Sequence, residues 1–563
     1  MSERFRRSRF LVSAGGALIA IAVAPRAALA SGRRSTVALA LKAKNVGRRY
    51  AGDRALFATV SPGVEGRDTA AVSFALNRAA TVKLEAVHTA RRATSVAWTT
   101  QARLPAGKHS LTWTPDLATA VGSYVMRLTI VRKGSGTTVL GGKRPPSIAK
   151  QQAPVVRVLG VEAGFLKRSY VPAEPMELRI LADAGALSLQ FLHCGAEYVN
   201  SERNDEMVGA PKGDPVPIDW TGKRSGPVTI TVQTGAWPTG LYTAQITTDD
   251  GRVGYAPFVL RPSTPGLKRQ LVVLPTNTWQ AYNMYDRDGD GWGDTLYAGG
   301  NPPVELDRPY RDRGVPPRFK AYDRSMLRWL LRTGKAPDMV ADDDLEAYGS
   351  GDELRALYDL IVFPGHSEYM TGHAYDVVER FRDLGGRLIF LSANNFFWRV
   401  DKQGTKMTRV RLWRTEGRPE SRLIGAQYRA NDDGRRQGPY TVVAAEAAPW
   451  LFDKTGLTTG STFGETVGGY GIEIDSATPD SPPGTVVLAR VTDLFGPGLS
   501  GEMTYYETPA GARVFAAGTL DFGGSVTFWP MTRMLENLWQ HMLQDLPAPA
   551  PVPPAVPPPP PAA

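Results

Sequence analysis

His366 and Glu368 stand two residues apart, just past the apolar run Leu360-Ile361-Val362-Phe363 and its stop, Pro364-Gly365. An imidazole and a carboxylate both move protons, and both hold metal ions. In extended chain, residues two apart point to the same side, so these groups face one point in space. A short continuous apolar run ended by turn residues reads as a strand buried on both faces. In an open α/β sheet the ligand site lies beyond the carboxyl ends of such strands. Two further runs end in the same way. Gln270-Leu271-Val272-Val273-Leu274-Pro275 is followed by Thr276, Asn277, Thr278 and Tyr282. Arg387-Leu388-Ile389-Phe390-Leu391-Ser392 is followed by Asn394 and Asn395. In a parallel sheet the three ends share one edge, where their polar residues converge.

The elements that must position them follow from periodicity. An amphipathic helix is predicted over Asp323–Arg332 and another over Ala374–Leu384, with Gly385-Gly386 as its C-cap. Helices alternating with buried strands predict a parallel sheet covered by helices over residues 268–546. Shorter strand-like segments after Arg399 read as an insertion. The chain returns through Arg513–Gly518 to a closing helix near Met531–Leu546. Upstream the grammar is different. Residues 51–133 and 153–262 alternate apolar and polar side chains between turn signals, which predicts two β-sandwiches joined by a Gly/Ser/Thr/Lys/Pro linker at 134–152. Their Gly-x-Tyr strand entries at Gly122 and Gly240 resemble those of bacterial immunoglobulin-like modules. The fold class expected is thus multidomain: two immunoglobulin-like sandwiches, then an α/β domain.

The net charge is +11, and residues 1–30, with five Arg and one Glu, account for +4 of it. No basic run interleaved with aromatics occurs, which argues against a nucleic-acid partner. Arg6-Arg7-Ser8-Arg9-Phe10-Leu11, an apolar stretch to Val23 and Ala28-Leu29-Ala30 read as a twin-arginine export leader with its cleavage site. Residues 31–50 read as a flexible lead-in, and the Pro/Ala-rich 547–563 as an unstructured tail. No segment after the leader is apolar enough to span a bilayer. Cys194 is the single cysteine, so no internal disulfide forms, and its apolar neighbours mark it as buried and inert.

Several ordered motifs carry a resemblance: Leu274-Pro275-Thr276-Asn277-Thr278-Trp279-Gln280-Ala281-Tyr282-Asn283, Asp307-Arg308-Pro309-Tyr310, Gly365-His366-Ser367-Glu368-Tyr369, Ser392-Ala393-Asn394-Asn395-Phe396-Phe397-Trp398 and Tyr505-Tyr506-Glu507-Thr508-Pro509. Over roughly residues 240–546 the chain resembles the C-terminal domain of the N,N-dimethylformamidase large-subunit family. The resemblance implies a glutamine-amidotransferase-like, flavodoxin-like α/β domain. It also implies a mononuclear ferric site of two tyrosines and one glutamate that hydrolyses a small amide. By position, Glu368 is the carboxylate ligand and Tyr282 one phenolate. Tyr310 is the choice for the second phenolate, and Tyr322 the alternative. Hard anionic oxygens suit a hard trivalent cation. His366 then serves as general acid/base and Asn394 as donor to a developing oxyanion. Glu473 is the base for water, with Glu507 as runner-up. Tyr369 is followed by Met370 where Trp is expected of relatives, and no stretch resembles the small partner subunit of the amidase.

One insert reads separately. Asp286, Asp288, Asp290 and Asp294 fall at positions 1, 3, 5 and 9 of a loop with Gly291 at 6, as in a calcium loop. Position 12 is Tyr297 rather than Glu, so the reading is an extracellular Asp-rich Ca2+ loop that orders the chain after Tyr282. The sequence therefore predicts an exported, iron-dependent amidohydrolase, with homo-oligomers as an open partner state. The alternative is a non-catalytic cell-surface binding protein with a degenerate α/β domain.

Overall fold

The computed structural model describes residues 42–546 apart from 48, 90–93, 133, 135, 198–200, 202 and 298–301. The stretch read as an export leader, most of the stretch read as a lead-in and the Pro/Ala-rich 547–563 lie outside the described residues. Most of the regular structure is β-sheet.

Ala70–Leu76 buries every second side chain, as period-two alternation requires. With Lys42–Asn45 and Gly107–Trp113 it makes a three-stranded antiparallel sheet. The facing sheet runs Phe57–Val60, Val155–Val158, Gly122–Arg132, Ala80–Thr89, Thr94–Leu104. Val72, Phe74, Leu84, Trp113, Met126 and Val156 fill the space between the two sheets. The first sandwich extends further than its composition implies. Thr137-Thr138-Val139-Leu140 folds back on Gly122–Arg132 as strand Gly136–Leu140, inside the stretch read as linker. Val155–Val158, read as the start of the second sandwich, fills the gap between Phe57–Val60 and Gly122–Arg132. Apolar β-branched residues outweighed the surrounding Gly, Lys and Pro.

In the second sandwich Val161–Phe165, Pro175–Ala182 and Val228–Gln233 face a five-stranded sheet over a core that includes Ile180, Leu189, Trp220, Tyr242 and Phe258. Cys194 ends strand Ala186–Cys194 and is buried, and burial pushes its thiol well up. Burial thus disfavours the thiolate, the form that acts as a nucleophile.

The remaining chain builds a nine-stranded mixed sheet. Its strands are β1 (Gln270–Leu274), β2 (Asp338–Ala341), β3 (Leu360–Phe363), β4 (Arg387–Phe390), β5 (Tyr440–Val442), β6 (Thr462–Phe463), β8 (Val486–Val491), β9 (Gly501–Glu507) and β10 (Arg513–Ala516). A further strand, β7 (Glu473–Ser476), pairs outside it with Gln427–Asn431. The sheet order is β2-β1-β3-β4-β10-β9-β8-β5-β6. The first five strands in this order join through four parallel pairings, and the other four pairings are antiparallel. Of the segments around and after Arg399, Trp398–Gln403 and Lys406–Leu412 pair in a separate four-stranded sheet, whereas β5, β6, β8 and β9 extend the large sheet itself, and β10 returns to its middle beside β4. The parallel strands are buried along their whole length, as their continuous apolar runs require. Helices α1 (Thr276–Tyr282), α2 (Arg324–Arg332), α3 (Gly372–Asp383) and α4 (Met531–His541) accompany these strands. One core, with Val272, Trp329, Val362, Ile389, Leu535 and Leu538, takes in α2 and α4. A second, with Val273, Ile361, Val378, Phe381 and Leu388, takes in α3. Among the described residues no helix is long and apolar enough to cross a membrane.

Candidate functional site

The chain leaves β1 at Pro275 and enters α1 at once. Thr278 and Tyr282 are four apart in α1 and share a face. Thr278 accepts a hydrogen bond from the backbone N–H of Glu368 at 3.0 Å, which ties the end of β1 to the end of β3. Tyr282 donates its hydroxyl to Glu368 Oε2 at 2.7 Å, and Tyr297 donates to Oε1 at 2.9 Å. The two phenol oxygens are 2.7 Å apart. His366 Nε2 stands 3.5 Å from Glu368 Oε2 and 3.4 Å from Glu473 Oε2, and makes no hydrogen bond. Past β4 the backbone turns through a left-handed Asn394, φ +56°, so that its amide nitrogen donates to Glu473 Oε2 at 2.7 Å. The Asn394 backbone N–H is held by both oxygens of Asp475, at 2.9 and 3.0 Å. Glu473 and Asp475 are alternate residues of β7, one turned to the site and one behind it. A cavity of about 430 Å³ opens beside the cluster, lined among others by Trp279, Tyr322, Ile472 and Leu520.

The electrostatics follow from crowding acids in a dry place. Glu368 is 1% exposed, and burial raises its carboxyl although His366 opposes the shift. Burial, and then the Glu368 charge, push the phenols of Tyr282 and Tyr297 well above their ordinary value. Burial alone would lower His366; the charges of Glu473 and Glu368 outweigh it and raise the imidazole. A cation among these oxygens reverses the direction for the phenols and the carboxylate, because it favours every anionic form.

The structure brings together Tyr282, Glu368, His366, Asn394 and Glu473. It does not bring Tyr310 to them. Arg308, in the same motif, hydrogen-bonds the carbonyls of Gln280 and Asn283 at 2.7 and 3.2 Å and so closes the end of α1. Tyr310 packs behind that helix, edge-on to Trp279, where the charges of Arg168 and Asp342 act on its buried phenol. Tyr322 lines the cavity wall but makes no hydrogen bond to Glu368. Glu507 is half exposed and lies near Arg513 and His541, away from the cavity.

The residue that reaches Glu368 instead is Tyr297, at position 12 of the Asp-rich loop. Asp286 accepts the N–H groups of Gly289, Asp290 and Gly291 at 2.8, 3.1 and 3.0 Å. Oxygens of Asp286, Asp288 and Asp294 lie within 4.8 Å of one another. Arg144 adds a cation, bridging Asp290 at 3.0 Å and Asp294 at 3.1 Å. The first sandwich clamps the loop. Arg54 donates to the carbonyls of Asp288 and Gly289 at 2.9 and 2.8 Å, and Thr89 to that of Gly291 at 2.7 Å. Trp292 packs on Phe57, Val125 and Val155. The loop leaves this clamp with Leu296 N–H bonded to the Ala281 carbonyl at 3.1 Å, which sets Tyr297 beside Tyr282. The sequence signal for it was the loop register itself: an aromatic hydroxyl stands where a calcium loop has its last carboxylate.

Asp475 gives a stability prediction. Burial pushes its carboxyl from 3.8 up to about 7. The native state therefore holds a proton that the unfolded chain has released between those values. Stability is full below the unfolded value and falls as pH rises toward 7. Unfolding free energies from urea titrations between pH 4 and 8 are expected to fall less steeply in Asp475→Asn, by at most about 1.4 kcal/mol per pH unit. An unchanged slope would refute the assignment.

The family model for N,N-dimethylformamidase beta subunit-like, C-terminal, matches residues 195–534. The N,N-dimethylformamidase beta subunit of Alcaligenes sp is 22% identical over 346 residues, and that of Paracoccus aminophilus 23% over 347. Each alignment covers 51% of this chain and 45% of the relative, so the chain spans about half the length of the curated relatives it matches. Among solved structures, the Yersinia pseudotuberculosis adhesin InvE aligns over 39% of this chain and 58% of its own, at 12% identity and a TM-score of 0.14. Salmonella alpha-2-macroglobulin reacted with methylamine aligns over 39% and 16%, at 9% identity and a TM-score of 0.20. The family match takes in more than half the chain and every residue of the cluster around Glu368, and the chain belongs to the N,N-dimethylformamidase beta subunit-like, C-terminal family.

Proposed function

We propose that this protein hydrolyses the C–N bond of an amide, with Tyr282, Tyr297 and Glu368 holding a ferric ion. The observation that carries the reading is the set of two half-buried phenols and one buried carboxylate, each within 2.9 Å of the next. The donors fit the ion: all are hard oxygens, and all three become anionic when a trivalent cation replaces their shared protons. Such an ion supplies Lewis-acid polarisation of an amide carbonyl. The chain's own residues do the rest. Glu473, fixed by Asn394, takes the proton of the attacking water. His366, between Glu473 and Glu368, carries a proton to the departing nitrogen. The Asn394 side-chain oxygen makes no hydrogen bond and is buried, so it is placed to orient an N–H donor.

Further parts of the reading rest on sequence. The twin-arginine leader fits export after folding and metal loading. Calcium at Asp286, Asp288 and Asp294 is a loop-stiffening ion in this reading, beside the cation that Arg144 already provides. The relatives' description as subunits supports an assembly of more than one chain.

Elemental analysis and a visible spectrum of protein exported by its own leader test the metal, and a screen of small amides tests the reaction. Stoichiometric iron with a tyrosinate charge-transfer band is expected. Tyr297→Phe is expected to weaken the band and lower iron content by tenfold or more, while Tyr310→Phe keeps both. An iron-free, folded protein from iron-replete cells would favour the surface-binding reading.

A further inference from the structure

The cavity beside the cluster holds about 430 Å³. That is the size of sites that enclose ligands of drug-like dimensions, roughly 300–1,000 Å³. An amide of five heavy atoms leaves most of it empty. Its walls are apolar at Trp279, Pro317, Ile472 and Leu520. Among the described residues lining it, only Arg318 carries a permanent positive charge.

Arg318 is placed at a cost. It follows Pro316-Pro317 and adopts a left-handed backbone, φ +62°, a conformation disfavoured for a residue with a Cβ. Its carbonyl accepts the N–H groups of Ala321 and Tyr322 at 2.8 and 3.1 Å, closing a tight turn. Arginines near it in sequence are paired with acids: Arg311 with Asp312, Arg313 with Asp205, Arg328 with Glu197. The Arg318 guanidinium meets no carboxylate among the described residues. Arg318 is exposed and lines the cavity together with Tyr322; burial raises the Tyr322 phenol and the Arg318 charge pulls the other way. The cavity's acids each have a partner, although Asp323 keeps one oxygen without a hydrogen bond. Glu473 is bonded to Asn394, Asp323 takes the Trp279 indole N–H at 3.2 Å, and Asp433 has a partner of its own.

We propose that Arg318 is a specificity residue that receives an anionic end group, and that the substrates are carboxylate-bearing amides of the N-acylamino-acid kind. The apolar body of such a molecule lies against Trp279, Ile472 and Leu520, with its amide toward Glu368 and its carboxylate at the guanidinium. Which bond is cut rests on the hydrolase reading; recognition of the carboxylate does not.

The test is equilibrium binding to the whole protein by calorimetry, with N-benzoylglycine and its uncharged partner N-benzoylglycinamide as probes. A carboxylate contact with an exposed guanidinium gives the acid a preference of about twofold to fivefold. Arg318→Gln is expected to abolish the preference and Arg318→Lys to keep part of it. Equal affinities, no measurable binding of the acid, or a preference that survives in Arg318→Gln would overturn the assignment. Iron content of the same samples separates the two ideas. Iron without acid preference sinks the Arg318 assignment alone, and acid preference without iron sinks the metal reading alone.

Discussion

On the proposed ferric reading, Glu368→Gln is expected to remove the iron, its visible band and at least about a thousandfold of amide turnover. The carboxylate is 1% exposed and takes a phenol hydroxyl on each oxygen. A glutamine in its place has one acceptor oxygen and presents an N–H₂ donor to the other phenol. It also removes the one full negative charge that the two tyrosines and His366 share. Lewis-acid stabilisation of a transition state is worth several kcal/mol, and each 1.36 kcal/mol is tenfold in rate. The metal-free variant should fold as well as wild type, because neutralising a buried carboxylate removes a desolvation cost. Thermal unfolding on the same samples verifies that. Stoichiometric iron and an unaltered spectrum in Glu368→Gln would sink the ligand assignment.

His366→Asn separates proton transfer from metal holding. Its imidazole nitrogen stands within 3.5 Å of both Glu368 and Glu473 yet is hydrogen-bonded to neither, a group placed for an incoming partner. Asparagine keeps a polar group near that position but carries no transferable proton at neutral pH. Turnover is expected to fall by about 10² to 10⁴, the range for a lost general acid or base. The loss should appear equally in kcat and kcat/KM, as for an interaction made in the transition state. Iron content and spectrum should stay at wild-type levels. If His366→Asn loses the iron with the activity, the imidazole belongs to the metal set rather than to proton transfer.

The legible part of the site is the part that local chain geometry decides. Buried parallel strands leave continuous apolar runs, so the ends of β1, β3 and β4 could be found by eye, and Tyr282, His366, Glu368 and Asn394 with them. Tyr297 could not be found that way. It follows fifteen residues after Tyr282, at the end of a loop whose course is set by Arg54, Thr89 and Arg144. Those contacts join positions more than 140 residues apart, and no periodicity encodes them. Tyr310 misled because its motif is structural: Arg308 satisfies the end of α1, and the tyrosine packs behind it. The first sandwich was under-measured for a related reason. Gly136–Leu140 and Val155–Val158 sit in turn-rich sequence, and only their pairing with Gly122–Arg132 makes them strands. The parallel half of the large sheet was predictable from its apolar runs. The antiparallel half, built from short strands such as Tyr440–Val442, was not.

The clamp on the Asp-rich loop also bears on the order in which the protein is made. A ribosome releases the first sandwich before the loop, and domains form as they emerge. Arg54, Thr89, Arg144 and the Phe57–Val125–Val155 surface are then already in place as a mould when residues 286–296 appear. The part of the molecule that precedes the family match thus supplies a template for a residue within it: the contacts that seat Tyr297 come from earlier in the chain.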